Sequence, residues 1–144
     1  MATNVQVETV IDRPRNAVAD YAMDWQNDTS WIRAISEARL VTDGPFGVGS
    51  RVERVASFLG RRIEYVNEVV ELEPGARLVM RSVKAPFPMK VTYEFEEAGG
   101  RTRTRIRVEG DAGGFYKLAG PVLSRAVRKG IEGDLAQLKA ILET

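Results

Sequence analysis

The feature that most constrains the fold of this chain is a run of strand-like segments with very short connections. They cover residues 34–43, 50–58, 61–72, 77–84, 88–97 and 101–110, and turn signals rich in Gly and Pro separate them. Short turns join antiparallel neighbours, because parallel strands need a crossover of a dozen or more residues. The sequence therefore predicts an antiparallel sheet made mostly of hairpins.

The region before these segments predicts one more strand and two short helices. Residues 5–11 alternate apolar and polar side chains, with the period of two that is typical of a half-buried strand. Asp12 then offers a side-chain cap, and Pro14 suits the first turn of a helix. We expect a second short helical segment to carry Trp25 and Trp31. The sheet then has about seven strands.

A long C-terminal helix is predicted after Gly113 and Gly114. Apolar side chains recur there at helical spacing over about 25 residues. They are Leu118, Val122, Ala126, Ile131, Leu135, Leu138, Ile141 and Leu142. A helix with such a stripe needs an apolar surface of matching size, and the inward face of the sheet is the only candidate. We therefore expect one α+β domain over residues 1–144, a curled antiparallel sheet around the helix, with a cavity between the two layers.

Several consecutive segments resemble a known superfamily over essentially the whole chain. After an opening strand come DRPRNAVADYAMDWQNDTSWI, DGPFGVGSRV and YVNEVVELEPGARLVMRS, and the final helix ends in LAQLKAILE. This arrangement is similar to the START-like (SRPBCC) superfamily, and within it to the bacterial polyketide cyclase/dehydrase-type proteins, which are also pollen-allergen-like. EVVELEPGARLVMRS is the most specific part. The resemblance implies a helix-grip fold whose cavity binds lipids, sterols, polyketides, quinones or hormones, and some such proteins catalyse cyclisation.

Composition excludes several kinds of chemistry. The chain has no Cys and no His, so Ser-His-Asp and Cys-His catalysis and thiolate or imidazole metal sites are absent. We therefore expect no tightly bound transition metal and no cofactor. The 21 Lys and Arg against 20 Asp and Glu give a net charge of +1, which provides no overall attraction to nucleic acid.

The expected location is the cytoplasm. The N-terminus MATNVQVETV lacks the basic start and apolar run of a secretory signal. No segment approaches the roughly 18 apolar residues that a membrane span needs, so stable membrane insertion is not expected. A free edge strand makes a monomer or a weak homodimer the expected state.

Hairpin geometry predicts which side chains face the cavity. If the turn at Leu59-Gly60 has two or four residues, even-numbered residues before it share a face with odd-numbered residues after it. The later hairpins extend that mainly apolar face. The predicted ligand-binding residues are Trp31, Arg54, Tyr65, Asn67, Met80, Ser82, Val91, Tyr93, Thr104, Ile106, Leu118 and Val122. No catalytic residue is assigned.

Arg54 is the unusual member of this face. A guanidinium that points inward needs a carboxylate, carbonyls, water or a bound anion. One interpretation is that it orients a carboxylate, enolate or phenolate of a ligand. The other is that it reaches solvent at the strand end or pairs with a Glu.

The other polar and aromatic candidates also have two interpretations. Tyr65, Asn67, Ser82 and Tyr93 either orient a ligand by hydrogen bonds or belong to a core network satisfied by water. Trp25 and Trp31 either form a mouth or lid of the cavity or anchor their helical segment on the sheet.

Four arginines alternate along the last predicted strand. Their strict period of two places Arg101, Arg103, Arg105 and Arg107 on the outward face, with Thr104, Ile106 and Val108 inward. Glu94 and Glu96 on the neighbouring strand are the expected cross-strand partners. A nucleic-acid stripe would need interleaved aromatic residues and an unbalanced charge, and this strand has neither.

Three classes of function are compatible with these residues. The first is the binding of a small hydrophobic or amphipathic molecule, such as a lipid, a polyketide or another aromatic compound. The second is a polyketide aromatase/cyclase-like enzyme, in which tyrosines, a carboxylate with a shifted pKa or water polarised by Arg would supply the acid and base. The third is a protein-interaction module, for which no dedicated feature is present.

Overall fold

A computed structural model describes residues 2–144 and contains one curled, seven-stranded antiparallel sheet. The strands are β1 Thr3–Ile11, β2 Ile35–Leu40, β3 Arg51–Phe58, β4 Arg61–Glu73, β5 Arg77–Lys84, β6 Met89–Ala98 and β7 Arg101–Gly110. Their order is β1-β7-β6-β5-β4-β3-β2, so consecutive strands from β2 to β7 are hairpin neighbours. The predicted α+β helix-grip fold is confirmed.

The helices lie before and after the central strands. They are α1 Arg15–Met23, a 3-10 turn Trp25–Asn27, α2 Asp28–Trp31, α3 Gly113–Tyr116 and α4 Gly120–Leu142. The short helix α3 was not predicted. The prediction that Asp12 caps α1 is wrong, because the N-cap is Pro14 and makes no side-chain hydrogen bond. The backbone N–H of Asp12 instead donates to Glu143 at 2.7 Å, which joins the end of β1 to the end of α4.

The two-residue hairpin turns produce the predicted inward face. Phe58 pairs with Arg61 across the turn, so Arg54 lies opposite Tyr65 in the β3–β4 register. The β6–β7 turn is equally tight, and Gly99 and Gly100 have φ values of 62° and 83° there. Such positive angles are easily adopted only by glycine.

The apolar stripe of α4 differs in phase from the predicted one only in the first turns of the helix. Leu123, Ile131, Leu135 and Leu138 are buried, whereas Val122 is 54% exposed, so the prediction that Val122 faces the cavity is wrong. Steps of four back from Ile131 reach residues 127 and 123, and residue 122 is turned about 100° from that line. Leu118 precedes the helix altogether and is half-buried.

The outward placement of the arginines on β7 is confirmed. None of the four is buried, whereas Thr104 and Ile106 are 1% and 5% exposed. Arg105 lies 3.8 Å from Glu94 and also 3.1 Å from Glu8 on β1, a partner that was not predicted. None of the helices within residues 2–144 has both the length and the hydropathy needed to cross a membrane.

Candidate functional site

Two adjoining chambers lie between the sheet and α4. The outer chamber has a volume of about 440 Å³ and the inner chamber about 120 Å³. Their common walls are Ile32, Ile35, Tyr65, Val108, Ile131 and Asp134. The shared residues make the two chambers direct neighbours, and together they are called the cavity below.

The outer chamber has mainly apolar walls. They come from β3, β4, the segment before β6 and one face of α4. Its apolar lining includes Ile35, Ala56, Phe58, Ile63, Phe87, Leu123 and Val127. A volume of about 440 Å³ lies within the range of about 300–1,000 Å³ that is typical of small-molecule pockets.

Aromatic rings cluster beside the outer chamber, where α3 meets the sheet. The ring centroids of Phe58 and Tyr116 are 5.7 Å apart, and those of Phe87 and Phe115 are 5.3 Å apart. The Arg61 guanidinium lies 3.7 Å from the ring centroid of Phe115 and donates a hydrogen bond to its carbonyl. These contacts fix α3 against the β3–β4 hairpin.

Arg54 in the wall of the inner chamber belongs to a buried ion pair. Arg54 Nε lies 2.6 Å from Asp28 Oδ2, and the two side chains are 4% and 2% exposed. Arg54 Nη1 is also 3.5 Å from the sulfur of Met80. Burial would lower the pKa of Arg54, but the Asp28 carboxylate and two nearby tyrosines raise it, so the guanidinium is charged. The predicted inward position of Arg54 is confirmed, and its carboxylate partner is Asp28 on α2.

Two tyrosines add neutral hydroxyls to the inner chamber. Burial raises the pKa of Tyr65 to about 12, although the Arg54 guanidinium opposes this shift. Burial also raises the pKa of Tyr93 well above its usual value. The Tyr93 ring packs against Trp31, with centroids 5.8 Å apart. Both phenols are therefore uncharged over the physiological pH range.

Two residues that line the inner chamber also carry unsatisfied polar atoms. Trp31 Nε1 and Asn67 Oδ1 are buried and have no hydrogen-bond partner within residues 2–144. Trp31 and Asn67 are 1% and 2% exposed. An unpaired buried donor or acceptor is costly, so such atoms usually mark a place where water or another polar molecule binds.

Asp134 on α4 is a site residue that the sequence analysis missed. It lines both chambers, and its Oδ1 accepts a 3.0 Å hydrogen bond from the backbone N–H of Arg33. Burial raises the pKa of Asp134 to about 6, against the opposing effects of this hydrogen bond and of the Arg33 charge. Residue 134 falls on the same side of α4 as Ile131 and Leu138, which the predicted stripe already contained.

Asp134→Asn is expected to stabilise the protein at high pH and to have little effect below pH 4. The pKa of about 6 is above the usual 3.8, so ionisation disfavours the folded state as the pH rises from about 4 to 6. Two units correspond to about 3 kcal/mol, and partial hydration reduces this to about 1–2 kcal/mol. Urea unfolding at pH 4 and pH 8 measures the difference. Equal effects of the substitution at both pH values would contradict the raised pKa.

The structure brings most of the predicted site residues together. The inner chamber is lined by Trp31, Arg54, Tyr65, Asn67, Met80, Val91, Tyr93 and Ile106. Ser82, Thr104, Leu118 and Val122 line neither chamber. The Ser82 hydroxyl instead accepts a 3.0 Å hydrogen bond from the backbone N–H of Met89, and Thr104 is buried within the sheet core. A ligand-binding role for the lining residues stays a prediction.

Neither chamber provides a cluster of metal ligands. Within residues 2–144, no three acidic side chains are close enough together to hold an ion. Of the carboxylates in this part of the chain, only Asp134 lines either chamber.

Comparison with protein families gives a match over nearly the whole chain. Residues 2–143 match the family described as "Polyketide cyclase / dehydrase and lipid transport". No curated protein matches the sequence.

Solved structures of the same fold come from several bacteria. A START superfamily protein from Mycobacterium smegmatis has a TM-score of 0.83 at 11% identity, covering 97% of each chain. The Zhui aromatase/cyclase from a Streptomyces species has a TM-score of 0.82 at 15% identity, covering 99% of this chain and 94% of that one. A protein from Thermus thermophilus has a TM-score of 0.79 at 19% identity, covering 95% of this chain and 94% of that one. At these identities the similarity establishes the fold alone.

Proposed function

Because the chain belongs to the polyketide cyclase/dehydrase and lipid transport family, we propose that its cavity binds a small hydrophobic or amphipathic molecule. Lipids, polyketides and other aromatic compounds are the candidate classes. The observation that carries the proposal is an apolar chamber of about 440 Å³ beside a smaller one whose wall contains several polar side chains. An apolar body with one polar end matches this arrangement, because it satisfies polar groups only where the wall offers them.

Gly130 offers a way to block the cavity without disturbing the core. It is exposed on α4 and yet lines the outer chamber, and a Cβ at this position would have only an ordinary 3.7 Å contact with Phe58. A longer side chain there is expected to occupy the entrance. Ala136 is exposed on the same helix and lines neither chamber, which makes it a matched control position.

We expect the neutral fluorescent probe Nile red to bind the wild-type protein saturably. Gly130→Leu should weaken this binding at least tenfold, because the new side chain competes for the same space, whereas Ala136→Leu should leave it within about twofold. Fluorescence titration measures both affinities, and calorimetry extends the screen to fatty alcohols and aromatic polyketides. If neither the probe nor any of these compounds binds the wild-type protein, the cavity is not a ligand site.

A second candidate function is a cyclase-like reaction in the same cavity. Asp134 favours it, because a carboxyl group with a pKa of about 6 can exchange protons near neutral pH. It would remove a proton from carbon next to a ligand carbonyl, and Tyr65 in the adjoining wall would donate a hydrogen bond to the carbonyl oxygen. Conversion of a linear polyketide to an aromatic product, lost in Asp134→Asn, would distinguish this reaction from binding alone.

A further inference from the structure

The charges around the inner chamber are unfavourable for an anionic ligand. The one guanidinium in its wall, on Arg54, is already neutralised by Asp28 at 2.6 Å. Asp134 adds a carboxylate to the same wall. A ligand carboxylate would therefore lose its hydration without gaining an unpaired cation, and burying a charge under those conditions is costly.

The remaining polar groups of the inner chamber are neutral. Tyr65 and Tyr93 contribute phenol hydroxyls, each of which can donate one hydrogen bond and accept others. Trp31 Nε1 is a donor without a partner, and Asn67 Oδ1 is an acceptor without one, among the residues that the structure describes. The two phenol hydroxyls complement a ligand group that both accepts and donates hydrogen bonds.

We propose that the inner chamber selects ligands that end in a neutral oxygen, a hydroxyl or phenol, and that the Arg54–Asp28 pair excludes carboxylates. The selectivity rests on the proposed binding function. The apolar body lies in the outer chamber, and the hydroxyl meets the Tyr65 and Tyr93 phenols. The ion pair sets the charge of the wall, so that Arg54 does not act as a receptor for acids.

Three probes of nearly the same shape test the selectivity. They are 2-naphthol, 2-naphthoic acid and 2-methylnaphthalene, which end in a neutral hydroxyl, a carboxylate and a methyl group at pH 7. We expect 2-naphthol to bind at least tenfold more tightly than either of the other two in calorimetric titrations. Equal affinity for 2-methylnaphthalene would show that the chamber does not recognise a polar oxygen, and equal affinity for 2-naphthoate would overturn the exclusion of acids.

Substitutions locate the selectivity in the inner chamber. The double variant Tyr65→Phe/Tyr93→Phe removes only the two hydroxyls and should reduce the preference for 2-naphthol over 2-methylnaphthalene to about threefold or less. Tyr21→Phe removes a hydroxyl from α1, outside both chambers, and should keep the wild-type preference. If the double variant also keeps it, the hydroxyls are not the recognition groups.

Asp28→Asn tests the role of the ion pair in a different way. It removes the negative charge that balances the Arg54 guanidinium. The affinity for 2-naphthoate relative to 2-naphthol should therefore rise at least tenfold. An unchanged ratio in the folded variant would contradict the proposal. If the variant does not fold, the order of the three affinities on the wild-type protein still tests the selectivity.

Two results distinguish failure of the selectivity from failure of the proposed function. Absence of binding by Nile red and all three probes would mean that the proposed function itself fails. Nile red binding without the expected order of affinities would reject only the selectivity.

Discussion

Arg54→Met is expected to lower the free energy of unfolding by about 3–5 kcal/mol at pH 7. The substitution leaves the Asp28 carboxylate buried without the guanidinium that lies 2.6 Å away. Breaking a buried pair by removing one partner is far more costly than removing the pair, because the remaining charge has lost its hydration. Urea unfolding measures the change. The loss should shrink as the pH falls, since protonation relieves the unpaired carboxylate.

Two controls separate this effect from simple loss of packing. The double variant Asp28→Leu/Arg54→Met removes both charges and should recover most of the stability. Arg39→Met breaks an exposed pair with Glu53, whose N–O distance is 2.9 Å, and should cost less than about 1 kcal/mol. A loss of that small size for Arg54→Met would mean that Asp28 is already neutral or hydrated. A double variant as unstable as the single one would indicate that packing dominates.

The sheet could be predicted because its connections are so short. A two-residue turn at Leu59-Gly60 fixes which side chains of β3 and β4 share a face, and this placed Arg54 beside Tyr65 without knowledge of the rest of the fold. The same reasoning carried through the later hairpins to Tyr93. The polar end of the cavity was therefore largely visible in the sequence.

The carboxylates of the site could not be found in this way. Asp28 lies 26 residues before Arg54 on a one-turn helix, and no sequence periodicity relates a helix of four residues to a distant strand. A weaker signal was available, because Asp28 is three residues before Trp31 and therefore on the same side of that helix. Without Asp28, the sequence left a ligand anion as an open partner for Arg54. With Asp28 in place, the charge of the Arg54 guanidinium is already balanced.

Asp134 was missed because the predicted stripe considered apolar residues only, although Ile131, Leu135 and Leu138 placed the buried face of this part of α4 correctly. The phase was wrong only at the start of the helix. Val122 and Leu123 are both apolar, so two stripes overlap there, and only packing against the sheet selects one of them. A shift of one residue rotates a helix face by about 100°. In the observed phase, Leu123 is 1% exposed and Asp134 faces the cavity. The error therefore put Val122 among the predicted site residues, and it did not affect the face that carries Asp134.

The observed phase makes a second large effect testable. Leu138→Ala is expected to destabilise the protein by about 2–5 kcal/mol, because Leu138 is fully buried between α4 and the sheet and its truncation leaves a cavity. Val122→Ala should change stability by less than about 0.5 kcal/mol, since Val122 is 54% exposed. Both sites lie within α4 and both substitutions end in Ala, so helix propensity does not explain a large difference. Urea unfolding under identical conditions measures both changes. A loss above about 2 kcal/mol for Val122→Ala would show that the first turns of the helix pack in the phase first predicted from the sequence, and a small loss for Leu138→Ala would contradict the burial of Leu138.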